Sequence, residues 1–426
     1  MGRLLRLGTS LGIVALASSS YADNTTPNYL PFGERAAMLG NAGFTSPQGE
    51  AVYYNPANLG RIDYPSLSVS GSTFLIYDLS VDPYAVVEGV EQPFSASGFV
   101  AIPSSLISTY QFGKLTLATA ILVPDALTYK NRQTYTFADE QDTILQEVIQ
   151  QSLWLGVGAG REIAPNLYAG ISAFVARDTA SQVAVTSALK MSSMARQQSS
   201  VSTDTAILNL VGILGIQWQP TPAFGIGLRA QLPTFELSGT QDFWASTIET
   251  DEMGVVIPEN STEVEFEDVH ASNPTPTDLG LGVSFRPVPR VELLADLGVQ
   301  LPKTFTTLEI EGTAIEELEL ETAVRVSLGA ELEVGTNKWL RLGGMYNRSA
   351  NVSLADGGPG KDNYLGFTAG FSFLRDRTIT SIGVFGAQSK PETYALTAET
   401  DPPQPQIRAD ARIRLYGALI AISYRL

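Results

Sequence analysis

From residue 66 to the C-terminus the chain repeats one pattern: short runs that alternate apolar and polar side chains, paired across tight Pro, Asn or Gly turns. In the run 291–301 the residues Val291, Leu293, Ala295, Leu297, Val299 and Leu301 fall on one face, and Glu292, Asp296 and Gln300 on the other. A strand sends alternate residues to opposite faces, so each run reads as a strand with one apolar side. A soluble sandwich could supply one or two such runs. A dozen or more of about ten residues each point to a membrane barrel, with lipid outside and a polar lumen inside. The same alternation sets Val324, Val326, Leu328, Ala330 and Leu332 against Arg325, Ser327, Gly329, Glu331 and Glu333. It recurs in 365–373, and in the last strand on Tyr416, Ala418, Ile420, Ile422, Tyr424 and Leu426.

Pairing the runs by their short turns predicts a first strand at 66–76, six hairpins (105–123, 152–177, 206–233, 278–301, 322–348 and 363–387) and a last strand at 412–426. That is an all-β transmembrane antiparallel barrel of fourteen strands, an even number as bacterial single-chain barrels use. The intervening segments 77–104, 124–151, 178–205, 234–277, 302–321, 349–362 and 388–411 are long and irregular and read as extracellular loops. Two of them carry apolar sets. Ile144, Leu145, Val148 and Ile149 stand at helical spacing within 142–153, and Val183, Val185, Leu189, Met191 and Met194 lie within 180–197. Both segments are expected to form helical lids over the barrel mouth. An apolar set on an external loop must pack or bind something, so these residues are candidates for ligand capture.

The chain of 426 residues has no Cys and a formal net charge of −17. A basic start at Arg3 and Arg6, a short apolar stretch over 7–17 and Ser20-Tyr21-Ala22 read as a secretory signal covering 1–22. No segment reaches the roughly 18 apolar residues that a membrane helix needs. Export without Cys fits the envelope of a Gram-negative bacterium. The acidic balance argues against a nucleic-acid partner. The acid gathers in 249–268 and 309–321, which read as solvated loops or as carboxylates meeting divalent cations that bridge lipopolysaccharide phosphates. The single His270 and the lack of Cys give no metal site and leave a Ser-His-Asp triad unsupported. No enzyme and no cofactor is expected.

Residues 23–65 precede the first strand. They hold Gly33-Glu34-Arg35-Ala36-Ala37, then Gly40-Asn41-Ala42-Gly43, then Glu50-Ala51-Val52-Tyr53-Tyr54-Asn55-Pro56-Ala57. Asn before Pro suits a helix start, with Asn capping exposed N–H groups and Pro at the first helical position. Fourteen strands enclose more space than their own side chains fill, so this segment can plug the lumen. The lumen face also carries Arg229, Arg325, Arg341, Glu292 and Asp296. These read either as ion pairs that hold the plug or as a site that reads a carboxylate.

In these features the chain resembles the FadL family of outer-membrane transporters for long-chain fatty acids and other hydrophobic compounds. The resemblance rests on the Gly33–Gly43 run, on Asn55-Pro56-Ala57 with Asn41 and Gly43 in the plug, on Ile102-Pro103-Ser104-Ser105 entering the second strand, and on the strand count. It implies passive transport: capture of an apolar ligand at the loops, a pocket in the lumen, and release near the plug, sideways into the membrane beside a kinked third strand. Leu115–Val123 carries no Gly, the residue a kinked strand commonly uses if it has no bulge. The terminal Leu426 stands where the strand signal for the barrel-assembly machinery usually has Phe. The implied partners are a fatty acid or hydrocarbon, outer-membrane lipids with lipopolysaccharide, and the assembly machinery, around a monomer. The same barrel could instead serve as a secretion or attachment scaffold, or as a porin for polar solutes.

Overall fold

The computed structural model describes residues 26, 30–87, 90–101, 104–137, 140–310, 313–354, 360–397 and 407–426. The signal segment 1–22 and the Ile102-Pro103 pair lie outside the described residues.

Among the described residues twenty-one strands form one continuous sheet. The wall follows the chain: β1 (Ser66–Val87), β3 (Ser105–Phe112), β4 (Leu115–Phe137), β5 (Glu140–Ala164), β6 (Leu167–Lys190), β7 (Arg196–Thr221) and β8 (Phe224–Gln231). It continues through β11 (Asp278–Val288), β12 (Val291–Gln300), β15 (Ala323–Gly335), β16 (Lys338–Asn347), β17 (Tyr364–Arg375), β18 (Thr378–Ser389) and β21 (Arg408–Arg425). Each pairs antiparallel with the next, and β21 closes on β1 from Ser66↔Arg425 to Asp82↔Asp410, giving a closed barrel of 14 strands. The remaining elements are β2 (Val90–Val100), β9 (Phe235–Thr250), β10 (Thr262–Ala271), β13 (Lys303–Ile310), β14 (Thr313–Leu320) and two short pieces, β19 (Glu392–Tyr394) and β20 (Leu396–Thr397). They extend the wall beyond the long-loop end.

The two faces follow the sequence alternation. On β12 Leu293 and Leu297 are each 43% exposed on the outside, whereas Glu292, Asp296 and Gln300 are buried inside. On β17 Leu365 and Phe367 face out while Gly366, Thr368 and Ser372 face in. Outward apolar side chains beside unsolvated polar ones are the reverse of a soluble core, and they fit a bilayer around the barrel.

The long connections differ from the expectation. The segments 142–153 and 180–197 form no helical lids. They are strand: β4, β5, β6 and β7 run 23, 25, 24 and 26 residues, and β4–β5 and β5–β6 remain paired to their tips at Phe137↔Glu140 and Glu140↔Lys190. At about 3.3 Å per residue the longest are roughly 80 Å of strand, well over twice the 9–11 residues that cross a bilayer. Ile144, Val148 and Ile149 are β-branched and stay in register with neighbours on both sides, and this pairing overrides a four-residue helical spacing. Segment 77–104 likewise continues β1 and returns as β2, 234–277 is the β9–β10 hairpin, and 302–321 is β13–β14.

The second wall strand is in two pieces. β2 pairs with upper β1 (Leu75↔Val100) and β3 with lower β1 (Ser66↔Thr109). On the other side β3 pairs with β4 up to Ser105↔Leu122, with one further bond from Val123 N to Ser104 O at 2.8 Å. The ladder is next seen at the single pair Ser97↔Lys130. Opposite, β4 carries one extra residue against β5 between Leu122 and Asp125, at Val123-Pro124. Pro124 cannot donate to a ladder, which suits the extra residue to this place.

Candidate functional site

Residues 30–62 lie inside the lumen toward the short-turn end, nearly all of them buried. They begin with a 3-10 turn at Ala36–Leu39, followed by a single-turn helix α1 (Ala51–Tyr54) and a second 3-10 turn at Pro56–Arg61. The Asn55 side chain accepts from Ala57 N at 3.2 Å, with Pro56 in the first helical position. Its amide also donates to Phe44 O at 2.8 Å and to Ile216 O of β7 at 3.2 Å, so one side chain starts the turn and ties it to the wall. Asn41 is left-handed at φ 64, which Asn tolerates better than most residues. Its side chain accepts from Phe32 N and from the Tyr54 hydroxyl, both at 3.0 Å.

Acidic side chains bind plug backbone directly. Glu50 accepts from the N–H groups of Glu34, Arg35 and Ala36 at 2.5, 3.0 and 2.7 Å. Asp296 of β12 accepts from Gly43 N at 2.7 Å and Phe44 N at 2.8 Å. Arg35 reaches back to the wall, to Glu292 and Glu331 at 3.0 Å each. Glu331 also holds Arg341 at 2.6 Å. Arg229 and Arg325 share Asp278 at 3.0 and 2.6 Å, and the Arg229 guanidinium lies 5.8 Å from the ring centres of both Phe44 and Tyr53. A buried charge is tolerable only when paired, and here each guanidinium has a carboxylate. So Asp296, Glu292 and Arg341 meet the plug or its anchors, while Arg229 and Arg325 stand beside it on a shared aspartate.

The sequence reading missed a belt of wall glycines. A Cβ added at Gly160, Gly170 or Gly215 would collide with Pro56, Ala57 or Gly60 of the plug. The same holds for Gly282 against Phe44, Gly329 against Leu39, Gly343 against Gly40 and Gly370 against Met38. These glycines take inward positions of the alternation on seven of the wall strands. That parity is the signal that could have revealed them, since a glycine in a strand often marks close backbone approach. Glu50 and Arg35 were legible only as charged residues inside an apolar segment.

Above the plug one side of the lumen is apolar, while β5–β7 add the buried polar residues Gln146, Gln150, Gln182 and Asn209. Tyr77 and Tyr129 stack at 6.1 Å, Tyr84 and Phe94 at 4.7 Å, and they join Leu75, Val100, Ala126, Leu415 and Leu419 in one cluster that reaches Ala37 and Met38 of the plug. A second cluster joins Tyr53, Tyr54 and Leu59 of the plug to Ile107, Leu122, Trp154 and Phe174. Val100, Val123, Ala126 and Leu127 of the first cluster and Leu122 of the second lie at the junction where β2 and β3 meet β4. The apolar interior therefore lies against the junction of β2 and β3 with β4, where a Cβ on Gly98 would collide with the Thr128 carbonyl.

Of the loop sets, Val148 is buried in the upper cluster and Ile144 packs on it. Leu145 lies on the opposite face of β5, paired with Val185 of β6, and Leu189 pairs with Gln141 on that same outer face. Met191 and Met194 are exposed at the β6–β7 turn, 41% and 61%. The two sets do not meet over the mouth. His270 stands exposed on β10, 3.6 Å from Glu236. At the long-loop end, Lys361 at 2.8 Å, helped by Arg348, holds the Glu321 carboxyl below the usual carboxylate range.

Neither a protein-family model nor a curated protein matches the chain by sequence. Solved structures match it over nearly its whole length. A FadL homologue from Pseudomonas aeruginosa superposes with TM-score 0.61 at 14% identity, covering 95% of this chain and all of that one. This is a FadL-type fold. The toluene transporter TodX of P. putida matches the FadL-type barrel with TM-score 0.61 at 12% identity, covering 93% of this chain and 98% of its own. The Ralstonia pickettii toluene transporter TbuX matches with 0.57 at 15%, covering 94% and 99%. Likeness at identities this low shows the fold, and leaves the ligand to be argued from the lumen.

Proposed function

We propose that the protein carries hydrophobic small molecules passively across the outer membrane. The observation that supports this best is the apolar, aromatic lining on the β1–β5 side of the lumen, from the upper cluster down to Trp154 and to Tyr53 of the plug, beside the junction of β2 and β3 with β4. An aliphatic or aromatic ligand entering from the mouth would exchange water for this lining at about 0.8 kcal/mol per buried methylene. Leaving sideways between Val100 and Ala126 would keep it out of the aqueous periplasm. The solved relatives include toluene transporters by name, and stacked tyrosines suit a flat ring. A long-chain fatty acid would use the same lining. The porin reading is disfavoured by a plug bonded to the wall on several sides. The scaffold reading is favoured by one feature, the β9–β10 hairpin, whose residues 262–268 are exposed on both faces.

Uptake of radiolabelled toluene and of a labelled long-chain fatty acid separates these. Transport predicts uptake of at least one. It also predicts that Val100→Arg, which sets a charge in the lumen at the junction of β2 with β4, lowers that uptake at least tenfold at equal surface abundance. Wild-type uptake by Val100→Arg would remove the lateral path. Uptake of neither compound by the unaltered protein would favour the scaffold.

A further inference from the structure

The outer face of the barrel has a recess of about 530 Å³ across β11, β12, β15 and β16. Its floor is Ala295, Ala330 and Gly344, and its sides include Leu293, Leu328 and Leu342. The register makes the hollow. Ala295 pairs with Leu328 and Leu328 with Gly344, while in the next outward-facing row Leu293 pairs with Ala330 and Ala330 with Leu342. Small and large side chains thus alternate between strands, with Ala330 one row away from Ala295 and Gly344 and Leu328 between those two. Directly behind the floor are Gly329 and Gly343, whose inner sides press on Leu39 and Gly40 of the plug. The plug therefore backs the wall behind the recess.

Three cations stand at the feet of the same strands: Arg286 at the end of β11, Arg290 in the β11–β12 turn and Lys338 at the start of β16, all exposed. Arg290 is held against β15, its carbonyl accepting from Glu333 N at 2.8 Å. Arg286 also touches Glu292 at 2.9 Å. Lys338 lies six residues below Gly344 on the same outward face of β16. At about 3.4 Å per residue and a tilt near 40°, that is roughly 15 Å along the membrane normal, the depth of an acyl chain below its phosphate.

We propose that this recess binds one anionic phospholipid of the inner leaflet, one acyl chain on the Ala295–Gly344 floor and its phosphate against Arg290 and Lys338. Shape alone selects little, because lipid tails are as apolar as the leucines around them. Selection falls to the head group, where cations at the membrane surface favour an anionic lipid. The site is distinct from the lumen and holds whether or not the lumen transports.

Native mass spectrometry of the full chain, taken from vesicles of equal phosphatidylglycerol and phosphatidylcholine, tests it. The expected result is one retained phosphatidylglycerol per chain, at least fivefold over phosphatidylcholine. Gly344→Leu fills the hollow; a Cβ there meets nothing closer than a carbonyl oxygen at 4.0 Å, so the wall can accept it. It should cut retention at least fivefold without changing heat-modifiable mobility. Arg290→Gln with Lys338→Gln should bring the two lipids to equal retention and keeps the test open if Gly344→Leu folds poorly. Equal retention of both lipids by the unaltered protein overturns the proposal. So does a two-chain species that Gly344→Leu abolishes, which would make the recess an interface between copies.

Discussion

Asp296 shows how much one side chain decides. It is an inward residue of β12 by simple alternation, yet its carboxylate is the wall's direct grip on the Gly43-Phe44 backbone. Removing it leaves two buried N–H groups unpaired, at about 1–3 kcal/mol each. Asp296→Ala should therefore loosen plug docking by about 2 kcal/mol or more and appear as brief openings in a planar bilayer. A record as quiet as that of the unaltered protein would mean the Arg35 ion pairs hold the plug alone. Asn55 works by the same logic, with three bonds from one amide that join the start of a turn to β7.

At the scale of elements, the plug and the tall strands carry separate predictions. Deleting residues 23–61 removes the Arg35, Glu50 and Asn55 contacts while leaving all fourteen wall strands paired. The barrel should still fold, with raised small-solute conductance. Unchanged conductance would show that the upper apolar cluster closes the lumen without help. In β5 the faces can be told apart. Ile144→Asp with Val148→Asp places carboxylates in the upper cluster and should lower ligand uptake several-fold. Leu145→Asp with Leu189→Asp alters only the outer face and should leave uptake within about twofold. Equal losses in both pairs would mean that entry runs along the outer side of the wall.

At the scale of the whole molecule, charge and length agree on orientation. Arg286, Arg290, Lys338, Arg375 and Arg377 stand at the short turns, whereas the acid of 249–268 and 309–321 stands on the tall wall at the other end. Short turns facing the periplasm and a tall wall outside the cell is the usual polarity of such barrels. A tag at Glu259 should then be reached by antibody on intact cells, and one at Asn166, between β5 and β6, should not. Surface labelling at Asn166 would invert the molecule and move the proposed lipid to the other leaflet.

The alternation of Val291–Leu301, Val324–Leu332 and Leu365–Phe373 was sufficient for a barrel of fourteen strands, because inside the bilayer each face meets one medium and the side chains must follow it. The short turns were legible for the same local reason: Pro, Asn and Gly close them through their own backbone preferences. Above the bilayer both faces are mixed: on β5 the buried side sets Gln146 and Gln150 beside Val148 and the other sets Leu145 and Ile149 beside Glu147, so the two-residue pattern fades. There Ile144, Leu145, Val148 and Ile149 read as a helix, and only pairing with β4 and β6 made them strand. Non-local contacts also decided what the plug touches. Gly160, Gly170 and Gly343 are ordinary strand glycines until Pro56 and Gly40 lie against them, and Glu50 is one more acid until three N–H groups turn toward it. A sequence carries the rule for each strand's two faces; which side chains meet across the lumen is settled only when the wall closes.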